Sequence, residues 1–437
     1  VETKRANTSA KLHVRGSLDT DDHGSILMPE PVAFTPAPNH PNGGCYGAEC
    51  VGRNFGAMLS VLPATVDPMS SLLGAWYIDA PAYRTGPHWP PEPEFGTGHL
   101  QETQKRYGII SGIGGGQHFC PDLTIGFELG WGGLLERIRL CSAVAQADAD
   151  PGFYEGHEAT VRGIQAWIAT HVAAARELAE AEGDPRLQTN LVEMADMNER
   201  LISDPPRTFR EACQWISWVA MVTRMFNGAG GIGQLDELLQ PYYEGDVATG
   251  ILEDEEAIFH LVCMFIIDTQ YYQIGGPNPE GRDRTSRISF LILEALHRMK
   301  TPSNVTVRVW DGLNGDLFDR AVGYLFEDRN GSPRFIGEKG MTEGFMRNGY
   351  SRQLARERVT SGCHWAAIPG KEYTLNDIVK LNFAAVFDAA LRDMVGDDAI
   401  DSSVDALWRA FEKHLRLALD CVKEGIDLHL RHMYKVL

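Results

Sequence analysis

The stretch Asn304-Val-Thr-Val-Arg-Val-Trp310 marks a change in the character of the chain. It is rich in β-branched residues and tends to alternate, which predicts a strand. An amphipathic helix follows over 316–331, then a second short strand over 333–337, two short helices over 341–349 and 352–358, and a loop around Cys363. Strand, helix, strand, helix, loop and helix make an α/β order, and folds of that class carry their reactive groups on loops at strand ends.

Upstream of this point the pattern is helical. Residues 153–183 keep apolar positions three and four apart, and 186–202 continue in the same style. Pro205 and Pro206 precede a helix through Glu211–Phe226, placed where missing N–H groups cost little. The acidic Glu253–Glu256 opens another helix, read as running to Tyr272, and 286–299 is a further one. Residues 375–392 and 405–437 are amphipathic helix. Residues 1–115 are dense in proline and glycine and read as an irregular segment wrapped over a core, with one short helix near 54–62. The expected division is therefore 1–115 and 116–437, the latter with a helical layer over about 116–300 and an α/β part over about 301–437.

With 43% hydrophobic and 23% charged residues, the 437-residue chain can bury a sizeable core. A net charge of -19 argues against binding a phosphate backbone or an anionic membrane through bulk charge. No apolar run is long enough to span a bilayer, and the first residues carry no signal-peptide pattern, so a cytoplasmic location is expected. The eight cysteines are spread along the chain without zinc spacing. No metal site is expected, reduced thiols are, and Cys141, Cys213 and Cys263 read as core fillers.

Four stretches together resemble the pyruvate formate-lyase-like glycyl radical enzymes. They are Asp204-Pro-Pro-Arg-Thr-Phe-Arg-Glu-Ala212, Gly233-Gln-Leu-Asp236 followed by Gln240-Pro-Tyr-Tyr243, the segment from Gly275 to Ala295 (GGPNPEGRDRTSRISFLILEA), and Ser361-Gly-Cys-His-Trp365 followed by Pro369-Gly-Lys371. They occur in register over about 118–391, with Gln234 where the family usually has arginine. The resemblance implies half of a ten-stranded α/β barrel with a large surrounding helical layer. It makes Cys363 the thiyl cysteine. The radical itself is expected on a backbone glycine of a partner chain, installed by a radical S-adenosylmethionine [4Fe-4S] activating enzyme, with no cofactor bound in this chain. A thiol suits the role because its S–H bond is weak among side-chain bonds to hydrogen, and the neighbouring Gly362 permits a tight turn.

The sequence departs from the family in three places. Many eliminating members carry Gly-Cys-Val-Glu, whereas His364 and Trp365 follow Cys363 here. His364 has two readings, as an acid/base near neutral pH or as a loop cap. Trp310 stands where a histidine is usual after Arg308, and Trp310 and Trp365 read either as walls for a flat substrate or as core packing. Arg308 is read as meeting a substrate carboxylate or a structural acid, and His118 as a further substrate contact or a structural group. Third, the family's R-V-x-G-Y glycine stretch is absent. Arg347-Asn-Gly-Tyr350 has a similar form but lies upstream of Cys363. The chain stops inside a helical pattern. Together these lead to the expectation of a split radical lyase whose other half-barrel and radical glycine come from a second polypeptide. It would cleave a C–C or C–heteroatom bond in a small organic molecule, aromatic if the two tryptophans stack on it, with decarboxylation, dehydration and radical addition all open. Neither nucleic acid nor membrane would be a partner. The competing expectation is a catalytically retired homologue that serves as a scaffold or regulatory subunit.

Overall fold

The computed structural model describes residues 1–15, 28, 30–77, 80–81, 89–111, 118–147, 149–227, 230–268, 270–362, 365–374, 379–395 and 403–436. Its strands, in chain order, are β1 (Ile110–Ser111), β2 (His118–Phe119), β3 (Gly231–Gln234), β4 (Tyr271–Gly275), β5 (Val305–Val309), β6 (Arg334–Gly337), β7 (Val359–Ser361), β8 (Trp365–Ala367), β9 (Tyr373–Thr374) and β10 (Val379–Lys380). The chain divides into two compact units, one of Val1–Asn39, Gly47–Arg84 and His118–Thr374, the other of His40–Tyr46, Thr85–Gln117 and Leu375–Leu437.

The first unit is α/β. Its central sheet has the order β3-β4-β5-β6, with every neighbouring pair parallel. Each strand is followed by helix before the next is reached: Leu235–Thr249 and Asp254–Ile267 after β3, Arg287–Met299 after β4, and Gly315–Asp328 after β5. Parallel pairing requires such crossovers. Every residue of β3 and β4 is buried, as strands covered on both faces should be, whereas β6 is only partly covered.

β5 and β6 lie where the sequence predicts them. β3 and β4 do not, because both fall in the stretch read as helical layer, so the sheet begins well before residue 301. Their residues are buried on both faces and show no alternation to read. The helix expected to reach Tyr272 stops at Ile267, where Asp268 turns extended and Tyr271 enters β4.

The proline-rich N-terminal segment is pinned to this unit by side-chain amides. Gln214 accepts from Leu73 N at 2.7 Å and donates to Leu73 O at 3.0 Å. Asn190 donates to Pro68 O and Ser70 O at 3.0 and 2.7 Å. The segment is more helical than expected, with Glu2–Arg15, Gly47–Val61 and Gln101–Tyr107 formed. Helix Gly47–Val61 packs along Pro151–Ala181.

The second unit builds its core from Leu100, Tyr107, Val386, Ala418 and Val422, on helices Gln101–Tyr107, Phe383–Val395 and Val404–Val436 and the turn before them. Tyr107 Oη lies 2.7 Å from His414 Nδ1, and His414 Nε2 lies 2.8 Å from Asp393 Oδ2, so a polar chain ties the three helices together.

The cysteines differ from expectation at three positions. Cys45 and Cys50 are disulfide-bonded, not reduced, and Cys141 is exposed, not a core filler. Cys120, Cys213, Cys263 and Cys421 are free and buried. No helix among the described residues is long and apolar enough to cross a membrane.

Candidate active site

β7 and β8 form an antiparallel hairpin in which Val359 opposes Ala367, Thr360 opposes Ala366 and Ser361 opposes Trp365. That register leaves residues 362–364 as the connection, and Gly362 enters it with φ of 58°, in the left-handed region that glycine adopts freely. Cys363 and His364 lie outside the described residues. The arms that carry them are described on both sides.

Those arms are braced at three levels. At the base, Arg358 Nη2 donates to Glu372 Oε1 at 2.7 Å, while Glu372 Oε2 accepts from Ile368 N at 3.0 Å. The Arg358 guanidinium also lies over the rings of Phe345 and Tyr350, 3.6 and 3.8 Å from their centroids. One carboxylate and one guanidinium thus hold both arms together, with the cation's remaining surface against aromatic faces. In the middle, Gln273 Oε1 on β4 accepts from Thr360 N at 2.9 Å and from Thr360 Oγ1 at 3.2 Å. Nearer the connection, β7 crosses Gly231 so closely that a Cβ there would stand 3.0 Å from Ser361 Cβ. Ser361 is fully buried, and its Oγ has no hydrogen-bond partner among the described residues.

Three of the four sequence stretches singled out above converge around this hairpin. In the Pro369-Gly-Lys turn, Gly370 N donates to Cys120 O at 2.7 Å, which joins it to the turn containing Asp122. Asp236 accepts from Gly275 N and Ser289 Oγ, both at 2.7 Å, and so joins the Gln-Leu-Asp, Gly-Gly and Thr-Ser-Arg-Ile-Ser stretches at one buried carboxylate. Burial pushes that carboxyl up from the ordinary aspartate range, against the pull of its donors. Beside the hairpin's first arm is an open cavity of about 590 Å³, lined by Asp122, Phe127, Gln234, Tyr242, Arg284 and Val359 among others.

Arg308 is almost wholly buried, donating from Nε and Nη2 to the two oxygens of Glu338 at 2.6 and 2.8 Å, from Nη1 to Gln234 Oε1 at 3.0 Å, and from Nη2 to Arg356 O at 3.1 Å. Most of its hydrogen-bonding capacity is therefore given to protein. Trp310 follows β5; its ring packs on Gly312, and its Nε1 is buried without a hydrogen bond. Trp365 opens β8 and is 41% exposed. The two tryptophans share no ring contact among the described residues. His118 lies on β2, opposite Thr374 of β9. Arg347-Asn-Gly-Tyr350 is a helix end, with Gly349 at φ of 90° and Tyr350 under Arg358.

Gln273, Glu338, Arg358 and Glu372 were not among the residues singled out from sequence. Gln273 sits inside Tyr-Tyr-Gln-Ile-Gly, where nothing distinguishes it, and its partner is 87 residues away. Among the described residues, no group of three or more His, Cys, Asp or Glu side chains is arranged to hold a metal ion.

Comparison with known proteins agrees with this architecture. The isethionate sulfite-lyase of Desulfovibrio desulfuricans is 25% identical over 300 residues, covering 58% of this chain and 35% of the relative. The indoleacetate decarboxylase of Tractidigestivibacter scatoligenes is 26% identical over 296 residues, covering 60% of this chain and 34% of the relative. The chain thus spans about a third of the length of these curated relatives. The glycerol-bound B12-independent glycerol dehydratase from Clostridium butyricum superposes with a TM-score of 0.78 at 17% identity, covering 97% of this chain and 64% of that one. That likeness shows the fold: α/β, of the glycyl radical enzyme type, with a large helical content. Residues 103–436 match the pyruvate formate lyase-like family, and the chain belongs to it.

Proposed function

We propose that this chain is the cysteine-bearing subunit of a split glycyl radical lyase that cleaves a C–C or C–heteroatom bond in a small organic molecule. The observation that carries the reading is the braced β7–β8 hairpin, whose connecting residues include Cys363. A hydrogen-transfer thiol needs a fixed approach to its substrate, because such transfer falls steeply with misplacement. A stem locked by Arg358–Glu372 and Gln273–Thr360 meets that need. The sulfite-lyase, decarboxylase and dehydratase named above supply the range of bond cleavages, and the indoleacetate decarboxylase favours an aromatic substrate.

In this reading a glycyl radical, made by a radical S-adenosylmethionine activase, supplies one-electron hydrogen abstraction. Cys363 presents the thiol. Trp365 stands where eliminating members carry their carboxylate, and His364, one residue nearer the cysteine, replaces it by taking or returning a proton. Trp365 and Trp310 wall a flat substrate, and His118 contacts it. Arg308 contributes through the ion pair that organises the strands beneath the hairpin. The radical glycine and the remaining barrel strands come from a second polypeptide. In support, β6 pairs only with β5 among the described residues, and a parallel sheet with an open, half-covered edge calls for further strands.

The test is anaerobic activation of the full complex. Cys363→Ser should retain a glycyl electron-spin signal and lose turnover, whereas normal turnover in that variant would remove Cys363 from the mechanism. His364→Ala should lose or shift the pH dependence of turnover, and an unchanged profile would leave His364 as a loop cap. A native preparation with no second chain on a denaturing gel, and no radical signal after activation, would favour the retired homologue.

A further inference from the structure

Gln234 replaces the arginine usual in the family, and its amide is fully used. Its Oε1 accepts from Arg308 Nη1 at 3.0 Å and from Gln273 Nε2 at 2.9 Å. Its Nε2 donates to Asp236 Oδ1 and to Gly275 O, both at 2.8 Å. Asp236 as a carboxylate and Gly275 O only accept, and Arg308 only donates, so the Gln234 amide has a single workable orientation. The orientation of Gln273 follows from it. Facing the Gln234 carbonyl, Gln273 must present its N–H groups on that side, which leaves its own Oε1 for Thr360 N and Oγ1. Gln234 borders the open cavity, but Gln273, Arg308 and Thr360 are buried and do not line it, so bulk water does not replace a partner that they lose.

We infer that Gln234 and Gln273 form a directional amide relay that positions the cysteine hairpin, and that both are positioning residues for chemistry at Cys363. The inference rests on the proposed role of Cys363 and adds what holds that residue's stem in register. An arginine at 234 has no acceptor to offer Arg308 or Gln273. Gln273 would then turn its carbonyl toward the new guanidinium and its amine toward Thr360 N–H, donor against donor. The strand arm three residues before Cys363 would lose its backbone bond to β4, while the Thr360 hydroxyl would have to turn and accept instead of donate.

Positioning is read without turnover, by following iodoacetamide alkylation of Cys363 at peptide resolution on the purified full chain. Gln234→Arg and Gln273→Met should raise the Cys363 rate about tenfold, the worth of one to two buried hydrogen bonds. The exposed Cys141 should react at its original rate, and the buried Cys213 should stay protected. Gln273→Glu, measured at a pH low enough to keep this buried carboxyl protonated, donates its O–H to Gln234 Oε1 and keeps an acceptor for Thr360. It should therefore stay within about twofold of the parent, a rescue that a simple packing role would not produce. Equal Cys363 rates in parent and Gln273→Met, or equal rises in Gln273→Glu and Gln273→Met, would overturn the relay. Should Gln234→Arg fail to fold, Thr360→Val decides: it removes only the hydroxyl bond and should raise the rate about threefold, and a parental rate overturns the inference. These readouts need neither partner nor radical, so they are distinguishable from failure of Cys363→Ser to lose turnover.

Discussion

Arg308 and Glu338 meet in a two-point ion pair, Nε to Oε1 at 2.6 Å and Nη2 to Oε2 at 2.8 Å, with side chains 1% and 4% exposed. The pair joins the end of β5 to the helix that follows β6. Glu338→Gln leaves the guanidinium buried without its counter-charge and should cost about 3–5 kcal/mol of stability. Arg308→Lys should cost a similar amount, because an ammonium cannot reproduce the two-point fork. Urea denaturation of both variants measures this, and a cost below 1 kcal/mol would show that the site is open to water.

Two histidines set an acid limit on stability. His171 is buried between Trp167 and Trp218, and burial pushes its pKa down to about 4. Burial, and then the charge of Arg210, push His260 down to about 3. Both are neutral in the fold and bind a proton near pH 6.5 when unfolded. Their contribution is therefore whole above about 6.5 and is lost as pH falls toward 4 and 3, at roughly 1.4 kcal/mol per pH unit for each group. Unfolding free energy measured between pH 7 and 4 should show this slope, and His171→Phe should remove one group's share. A slope unchanged in that variant would count against His171.

Gly231 is a steric gate for the hairpin arm. Alanine there places a Cβ 3.0 Å from Ser361 Cβ and 3.1 Å from Thr360 O, so either β3 or β7 must shift. The expected cost is about 1–3 kcal/mol, together with loss of turnover in the activated complex. Gly340→Ala is the control: it sits in the helix Glu338–Arg347 with no atom within 4 Å of the added carbon, and should stabilise by about 0.5–1 kcal/mol. Chemical denaturation curves of the pair decide, and equal behaviour would refute the close-approach argument.

Legibility in the sequence followed the range of the interactions. β5 announced itself through alternating β-branched residues, and β6 through its place after a helix. The glycine and proline turns that carry the family likeness could also be read locally. β3 and β4 could not, since strands buried on both faces lack alternation and one of them follows an apolar helix almost without a break. Arg308 was noticed for its family position, but its partner Glu338 carries no local sign of the pairing, being 30 residues away. Trp365 and Trp310 were paired as candidates from their places in the family motifs, and no ring contact joins them among the described residues.

By itself the sequence determined the family and the α/β class and proposed Cys363 as the thiol, because short-range patterning and turn chemistry are written into neighbouring residues. Only the tertiary structure decided what holds that thiol's stem. The bonds that do so join Gln234 to Gln273 across 39 residues and Gln273 to Thr360 across 87. A buried amide's partners are set by which strands the fold lays side by side, and no local pattern encodes that.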